Sequence, residues 1–265
     1  AVTVIADNKT SVYGEELKPL TITIPEGTLV GDDTERDLAV TLVKEDGLVV
    51  GNYDITGTST AANYQVTVTP GNYEITKKAV TVVADNKTSV YGEELKSLTI
   101  TIPEGTLVGN DEEKDLAVTL VKEDGTVVGN YDITGTSTAA NYQVTVTPGN
   151  YEITRKAVTV IADNKTSVYG EELKSLTITI PEGTLVGNDE EKDLSITLVK
   201  EDGTVVGNYD ITGTSTSANY QVTVTPGNYE ITKKAVTVIA DNKTSVYGEE
   251  LKALTITIPE GTLVG

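Results

Sequence analysis

The reactive side chains of this sequence are few in kind. His, Cys, Met and Trp are absent, leaving carboxylates, Lys and Arg, amides, hydroxyls and thirteen tyrosines. Acids come first by number: Asp7, Glu15, Glu16, Asp32, Asp33, Glu35, Asp37, Glu45 and Asp46. A Ca²⁺ ion needs about six to eight converging oxygens. Asp32, Asp33, Glu35 and Asp37, or Asp7 with Asn8, could supply some of them. No EF-hand spacing exists, and clustered loop acids are ordinarily solvated. The expectation is no cofactor, with structural calcium as the one alternative. Tyr13, Tyr53, Tyr64 and Tyr73 could form a stacking platform for sugars, with Asn52, Asn63 and Asn72 as hydrogen-bonding partners. The structural alternative is favoured, because Tyr is the only large side chain available to cap a core and tie its hydroxyl to backbone. An isopeptide crosslink needs a buried Lys facing Asn beside an acid. Lys9, Lys44, Lys77 and Asn63 are flanked by polar residues, which argues against it. Thr21/Thr23 and Thr67/Thr69 could build a flat ice-binding array, but Thr is simply a good outward strand residue. Asn8-Lys9-Thr10 is a glycosylation sequon that needs a eukaryotic secretory context to mean anything. With no Gly-x-Ser-x-Gly elbow and no phosphate loop, no enzymatic activity is expected.

The elements that position these side chains come in copies. AVTVIADNKTSVYGEEL starts at Ala1, with near-copies at Ala79, Ala157 and Ala235. The period is 78 residues, giving units at 1–78, 79–156 and 157–234 and a partial fourth at 235–265. The first two differ only at Ile5/Val83, Pro19/Ser97, Asp32/Asn110, Thr34/Glu112, Arg36/Lys114, Leu48/Thr126 and Lys77/Arg155. Each full unit carries 12 acidic and 6 basic residues. That even acidity opposes nucleic acid and anionic membranes as partners and favours solubility. There is no disulfide framework, no apolar run of membrane-spanning length and no wall-anchoring tail. Both ends fall inside repeat sequence, which reads as a window from something longer.

Within a unit, β-branched residues alternate with a period of two. Strands are expected at Ala1–Ala6, Thr10–Tyr13, Leu20–Ile24 and Leu38–Lys44. An Asp46-Gly47 hairpin turn then leads to Leu48–Val50, broken by Gly51-Asn52 before Tyr53–Ile55. After a polar loop at Gly57–Ala62 come Tyr64–Val68, a Pro70-Gly71 turn and Tyr73–Thr76. Asp32–Asp37 could close a helical turn. The fold class is therefore all-β: a tandem array of small β-sandwich or β-grasp-like domains forming an elongated rod. The stretch NYEITKKAVTV at Asn72–Val82 recurs as NYEITRKAVTV at 150–160 and unchanged at 228–238, without Gly, Pro or Ser. It forms the seam between units, at Lys77, Lys78 and Ala79, Arg155, Lys156 and Ala157, and Lys233, Lys234 and Ala235.

The order AVTV, KTSVYGEEL, LTITI, VVGNYDITGTSTAANYQVTV and NYEITKK resembles the MBG domain, a tandem module of large bacterial surface proteins and adhesins. The resemblance covers each unit and implies an extracellular, cell-surface setting with no transferable catalytic or ligand residue. Where the family commonly has Pro after its YG element, only Pro19 is near that place; Ser97, Ser175 and Ala253 replace it. The function expected is the stalk of a surface adhesin or filament, with neighbouring repeats as its partners. At about 3.3 Å per residue along a strand, a unit should span ~30–40 Å and the chain ~100–130 Å. The alternative is a multivalent module binding a host glycan or protein weakly at each repeat. A third reading is association with other copies through strand edges such as Leu254–Ile258 left open by the partial unit.

Overall fold

A computed structural model describes residues 1–264. In the first repeat the chain runs through β1 (Val2–Ala6), β2 (Lys9–Val12), β3 (Ile22–Thr23), a 3₁₀ turn at Glu35–Leu38, β4 (Val40–Lys44), β5 (Gly51–Ser59), β6 (Val66–Thr69) and β7 (Gly71–Thr76). Two sheets result, ordered β3-β1-β6 and β2-β7-β5-β4. β1 lies parallel to β6, with Val2 opposite Val66, and β2 lies parallel to β7, with Lys9 opposite Tyr73. The remaining pairs are antiparallel.

Alternation explains how the sheets share a core. Along β1, Val2, Val4 and Ala6 are buried while Thr3 and Ile5 face outward. Val2 and Val4 pack with Leu38, and Ala6 packs with Ile55, Tyr73 and Ile75. Each buried Val, Leu or Ile among them contributes roughly 1.5–3 kcal/mol by leaving water. Leu38 reaches this core from the 3₁₀ turn rather than from a strand. The Asp37 carboxylate accepts the Thr34 N–H and hydroxyl, and Ala39 leaves the turn at φ 42°.

The third repeat has the same two sheets: Ile178–Thr179, Lys156–Ala162 and Tyr220–Thr225, then Lys165–Val168, Gly227–Thr232, Gly207–Ser215 and Ile196–Lys200. In the second, Lys78–Ala84 lies between Ile100–Thr101 and Tyr142–Thr147, and Val118–Lys122 pairs with Gly129–Ser137. The chain is thus a series of tandem β domains.

Several local expectations are corrected. Leu48–Val50 is not a strand, and Gly51-Asn52 does not break one, because β5 runs unbroken from Gly51 to Ser59. Glycines make room for neighbours in the strand and in the loop before it: a Cβ on Gly57 of β5 would lie 2.8 Å from Leu42 Cδ2, and one on Gly47 in the preceding loop would lie 2.1 Å from the Tyr53 ring. The loop expected at Gly57–Ala62 therefore begins only after Ser59. Ladder pairing in Leu20–Ile24 is confined to Ile22–Thr23. Gly71 belongs to β7, so Pro70 alone carries the chain from one sheet to the other. In the partial unit, the open edge expected at Leu254–Ile258 is paired at its centre, Ile256–Thr257 against Ile239–Ala240. Val236, Tyr247, Leu251 and Leu254 there are exposed.

The chain divides into two compact units that cut across the 78-residue copies. One holds Ala1–Thr88, Leu95–Gly125 and Asn130–Glu152; the other holds Ser89–Glu94, Thr126–Gly129 and the chain from Ile153 on. The Tyr91 tip of the second repeat therefore groups with the third.

Candidate functional site

The seam residues lie at strand ends. β7 stops at Thr76 and the next strand starts at Lys78, so Lys77 alone separates them. Arg155 occupies the same place between Thr154 and Lys156. Lys77, Ala79, Arg155 and Ala157 are exposed, and Lys78 and Lys156 half-buried. At the third seam, Lys233, Lys234 and Ala235 open the non-strand stretch between Thr232 and Ile239. Lys77 Nζ donates to the Ala139 carbonyl at 2.7 Å, and Arg155 Nε to that of Ala218 at 3.1 Å.

A second contact, which the sequence reading missed, does more to join successive repeats. In the first repeat, the turn after β2 places Tyr13 and Gly14 against the 3₁₀ region of the second repeat. Tyr13 Oη donates to Asp111 Oδ2 at 3.0 Å, and Tyr142 Oη donates to the same oxygen at 2.6 Å. The two rings meet edge to face, 5.5 Å apart at 86°. Such a pair contributes about 0.5–1.5 kcal/mol beyond its buried area. The Val50 N–H donates to Asn141 Oδ1 at 3.2 Å. The second unit repeats the arrangement with Tyr91, Tyr220 and Asp189, at 3.1 and 2.5 Å to one carboxylate oxygen and 5.5 Å between rings. There Val128 N–H donates to Asn219 Oδ1. The only sequence signal for this contact was the Val-Gly-Asn-Asp loop at 108–111, which carries no local hint of a partner 98 residues away.

Burial is the main cause of raised phenol pKa values here. Tyr142 and Tyr220, each 2% exposed, are pushed from 10.0 to about 12 by burial and then by the hydrogen bond to the carboxylate. Tyr13 and Tyr91 are raised for the same two reasons. A phenol with a raised pKa in the fold favours the folded state while it keeps its proton. The junction's contribution is therefore full below about pH 10 and is lost as pH climbs toward 12. Melting temperature followed from pH 9 to 12 should fall over that window, and Tyr142→Phe with Tyr220→Phe should flatten the fall.

Gly14 sets how closely the tip can approach. It has φ +82°, and a Cβ there would lie 2.3 Å from Val108 Cγ2. Gly14→Ala should combine left-handed strain of about 1 kcal/mol with this overlap. It should lift the tip from the second repeat without unfolding either one. Faster amide exchange at Val108, whose N–H donates to Tyr142 Oη at 2.8 Å, is the readout.

The remaining candidates have local roles. Tyr73 Oη pairs with Ser11 Oγ at 2.6 Å and accepts the Lys18 N–H; Tyr53 Oη donates to the Val49 carbonyl at 2.8 Å; and Tyr64 Oη donates to Asp33. Asn72 bonds Asn52 and, through its N–H, Asn8. Lys44 Nζ sits 3.8 Å from the Tyr53 ring centroid and donates to the Glu45 and Gly47 carbonyls. Asp7 accepts from Thr21 and Thr23, which lower its pKa, and Lys9 donates to Thr21. Glu45 Oε2 accepts the Asp54 N–H, and Glu15 Oε2 that of Val12. Asp32, Glu16, Glu35 and Asp46 join no cluster, since among the described residues no three acidic side chains gather as a metal site. A cleft of about 380 Å³ beside the first junction is lined by Tyr13, Gly14, Leu17, Leu48, Val108 and Asp111.

A family model described as the MBG domain (YGX type) matches residues 2–74, 80–152 and 158–230. The chain belongs to this family. Each MBG match contains one Tyr-Gly-Glu tip, at 13–15, 91–93 and 169–171; the first two make the shared-carboxylate junctions, and at the third Gly170 approaches Val264 as Gly14 approaches Val108. Among solved structures, the chain is similar to the Bacteroides ovatus mixed-linkage glucan utilization locus SGBP-B in complex with a mixed-linkage heptasaccharide. Identity is 12%, with 91% of this MBG chain and 71% of that chain covered and a TM-score of 0.18, too low to carry an argument. No curated protein matches.

Proposed function

We propose that this MBG array is the stalk of a bacterial surface adhesin or filament, holding another domain away from the cell. The observation that carries this reading is the junction, where one seam residue leaves little slack and the Tyr-Gly tip is held by a shared carboxylate and a ring contact. Two contacts at separate points on the repeat restrain bending more than either alone. The charge of −20 keeps such a shaft hydrated and opposes its association side by side. No catalytic residue and no cofactor enter this function. Small-angle scattering tests it: the maximum dimension should grow by a constant increment for each repeat added, and a compact particle would overturn the reading. A multivalent glycan- or protein-binding array is the competing function, and it requires measurable glycan affinity of the chain.

A further inference from the structure

We propose that each inter-repeat junction is a site of oxidative tyrosine cross-linking, in which Tyr13 joins Tyr142 and Tyr91 joins Tyr220 through a carbon–carbon bond. Three observations converge on it, and none depends on the shaft reading. First, with no Cys, Met, Trp or His in the chain, the phenols are its most readily oxidised side chains. Second, at both junctions phenols from successive repeats lie with ring centroids 5.5 Å apart. Third, both hydroxyls of a pair point at one carboxylate oxygen, Oδ2 of Asp111 or Asp189. That convergence holds the hydroxyl ends of the two rings together, and it places a base where a phenol must shed its proton as it loses an electron.

The chemistry balances with a peroxide as oxidant. Each phenol gives up one electron together with its hydroxyl proton, one proton passing to the carboxylate and the other to water. The two phenoxyl radicals couple through ortho carbons, forming one C–C bond. The hydrogens on the joined carbons then leave as protons while both oxygens are reprotonated, restoring two phenols. Overall two electrons and two protons leave the protein and reduce one H₂O₂ to two waters. The product is a covalent staple between repeats, made without cysteine.

Not every close tyrosine pair fits. Tyr53 and Tyr73 face each other across β5 and β7. The Lys44 ammonium lies 3.8 Å from the Tyr53 centroid and 5.9 Å from that of Tyr73, and a positive charge there opposes removal of an electron. Tyr247, wholly exposed, is the tyrosine best placed to react between molecules.

The test uses the whole chain in dilute solution with a photogenerated one-electron ruthenium oxidant and persulfate as the final electron acceptor. The monomer fraction is then digested and cross-linked peptides are identified by mass, each about 2 Da lighter than the sum of its parts. Links 13–142 and 91–220 should dominate, accompanied by dityrosine fluorescence. Tyr13→Phe should abolish the first link and leave the second. Asp111→Asn should lower the first several-fold while 91–220, untouched in the same molecule, confirms that the chain is folded. Dominance of 53–73 links, links only between molecules through Tyr247, or an unchanged 13–142 yield in Asp111→Asn would overturn the proposal.

Discussion

Tyr73→Ala should cost the first repeat about 3–5 kcal/mol, enough to unfold it while the third stays folded. Tyr73 is fully buried at the centre of β7, packed with Ala6, Ile55 and Ile75. Its hydroxyl pairs with buried Ser11 Oγ at 2.6 Å and accepts the Lys18 N–H at 2.6 Å, pinning the segment after the Tyr-Gly tip to the core. Truncation opens a cavity and leaves both groups without their partner. Tyr73→Phe separates the two effects: it keeps the ring and should cost about 1–3 kcal/mol for the buried polar groups left unpaired. Denaturant titration of the chain should show an early transition in Tyr73→Ala that is absent from the parent. A single unchanged transition would show that neither cavity nor hydrogen bonds matter at this position.

Gly71→Ala should cost about 3 kcal/mol, an effect invisible in any hydrophobic count. Here the backbone has just passed from one sheet to the other, and the Gly71 Cα sits against β1. A Cβ would lie 2.3 Å from the Ala6 carbonyl oxygen and 2.9 Å from its carbon. Both are backbone atoms, so relief requires moving a strand rather than rotating a side chain. Gly149 and Gly227 meet Ala84 and Ala162 at the same 2.3 Å. Gly27→Ala is the control, because nothing lies within 4 Å of its Cβ and only its φ of +75° opposes the change, at about 1 kcal/mol. Melting curves for the two variants should differ clearly; equal shifts would mean that the sheet crossing is softer than its geometry implies.

These glycines mark where the sequence was hardest to read. Alternation in VTVIA and NYEIT announced strands and told which face was buried, because side-chain direction follows the strand period directly. It could not tell which strands pair. β1 finds β6 and β2 finds β7 across more than 60 residues, and a period-two pattern carries no partner identity. Gly51 and Gly57 read as interruptions since Gly weakens strands, yet both lie within β5. The Tyr53 hydroxyl rests 3.6 Å from where a Cβ on Gly51 would be, and Leu42 fills the space beside Gly57. The seam was legible because its residues are adjacent in the chain. The Tyr13–Asp111 contact was not, since near-identical copies put the same tyrosine and the same aspartate in every repeat without saying that one repeat's tyrosine serves the next repeat's aspartate.

The parallel pairing of β1 with β6 also has a consequence for how the chain is made. A ribosome releases an opening strand roughly 3–13 s before the strand it must join, taking about 5–20 residues per second for the stretch from Val2 to Val66. When Lys78–Ala84 emerges, one residue after β7, the nearby copy of its future partner is β6, already occupied by β1. Synthesis from one end thus hands each opening strand a single vacant mate, although the repeats are almost interchangeable in sequence. On dilution from denaturant, all the opening strands and all their mates are presented at once, and that ordering is lost.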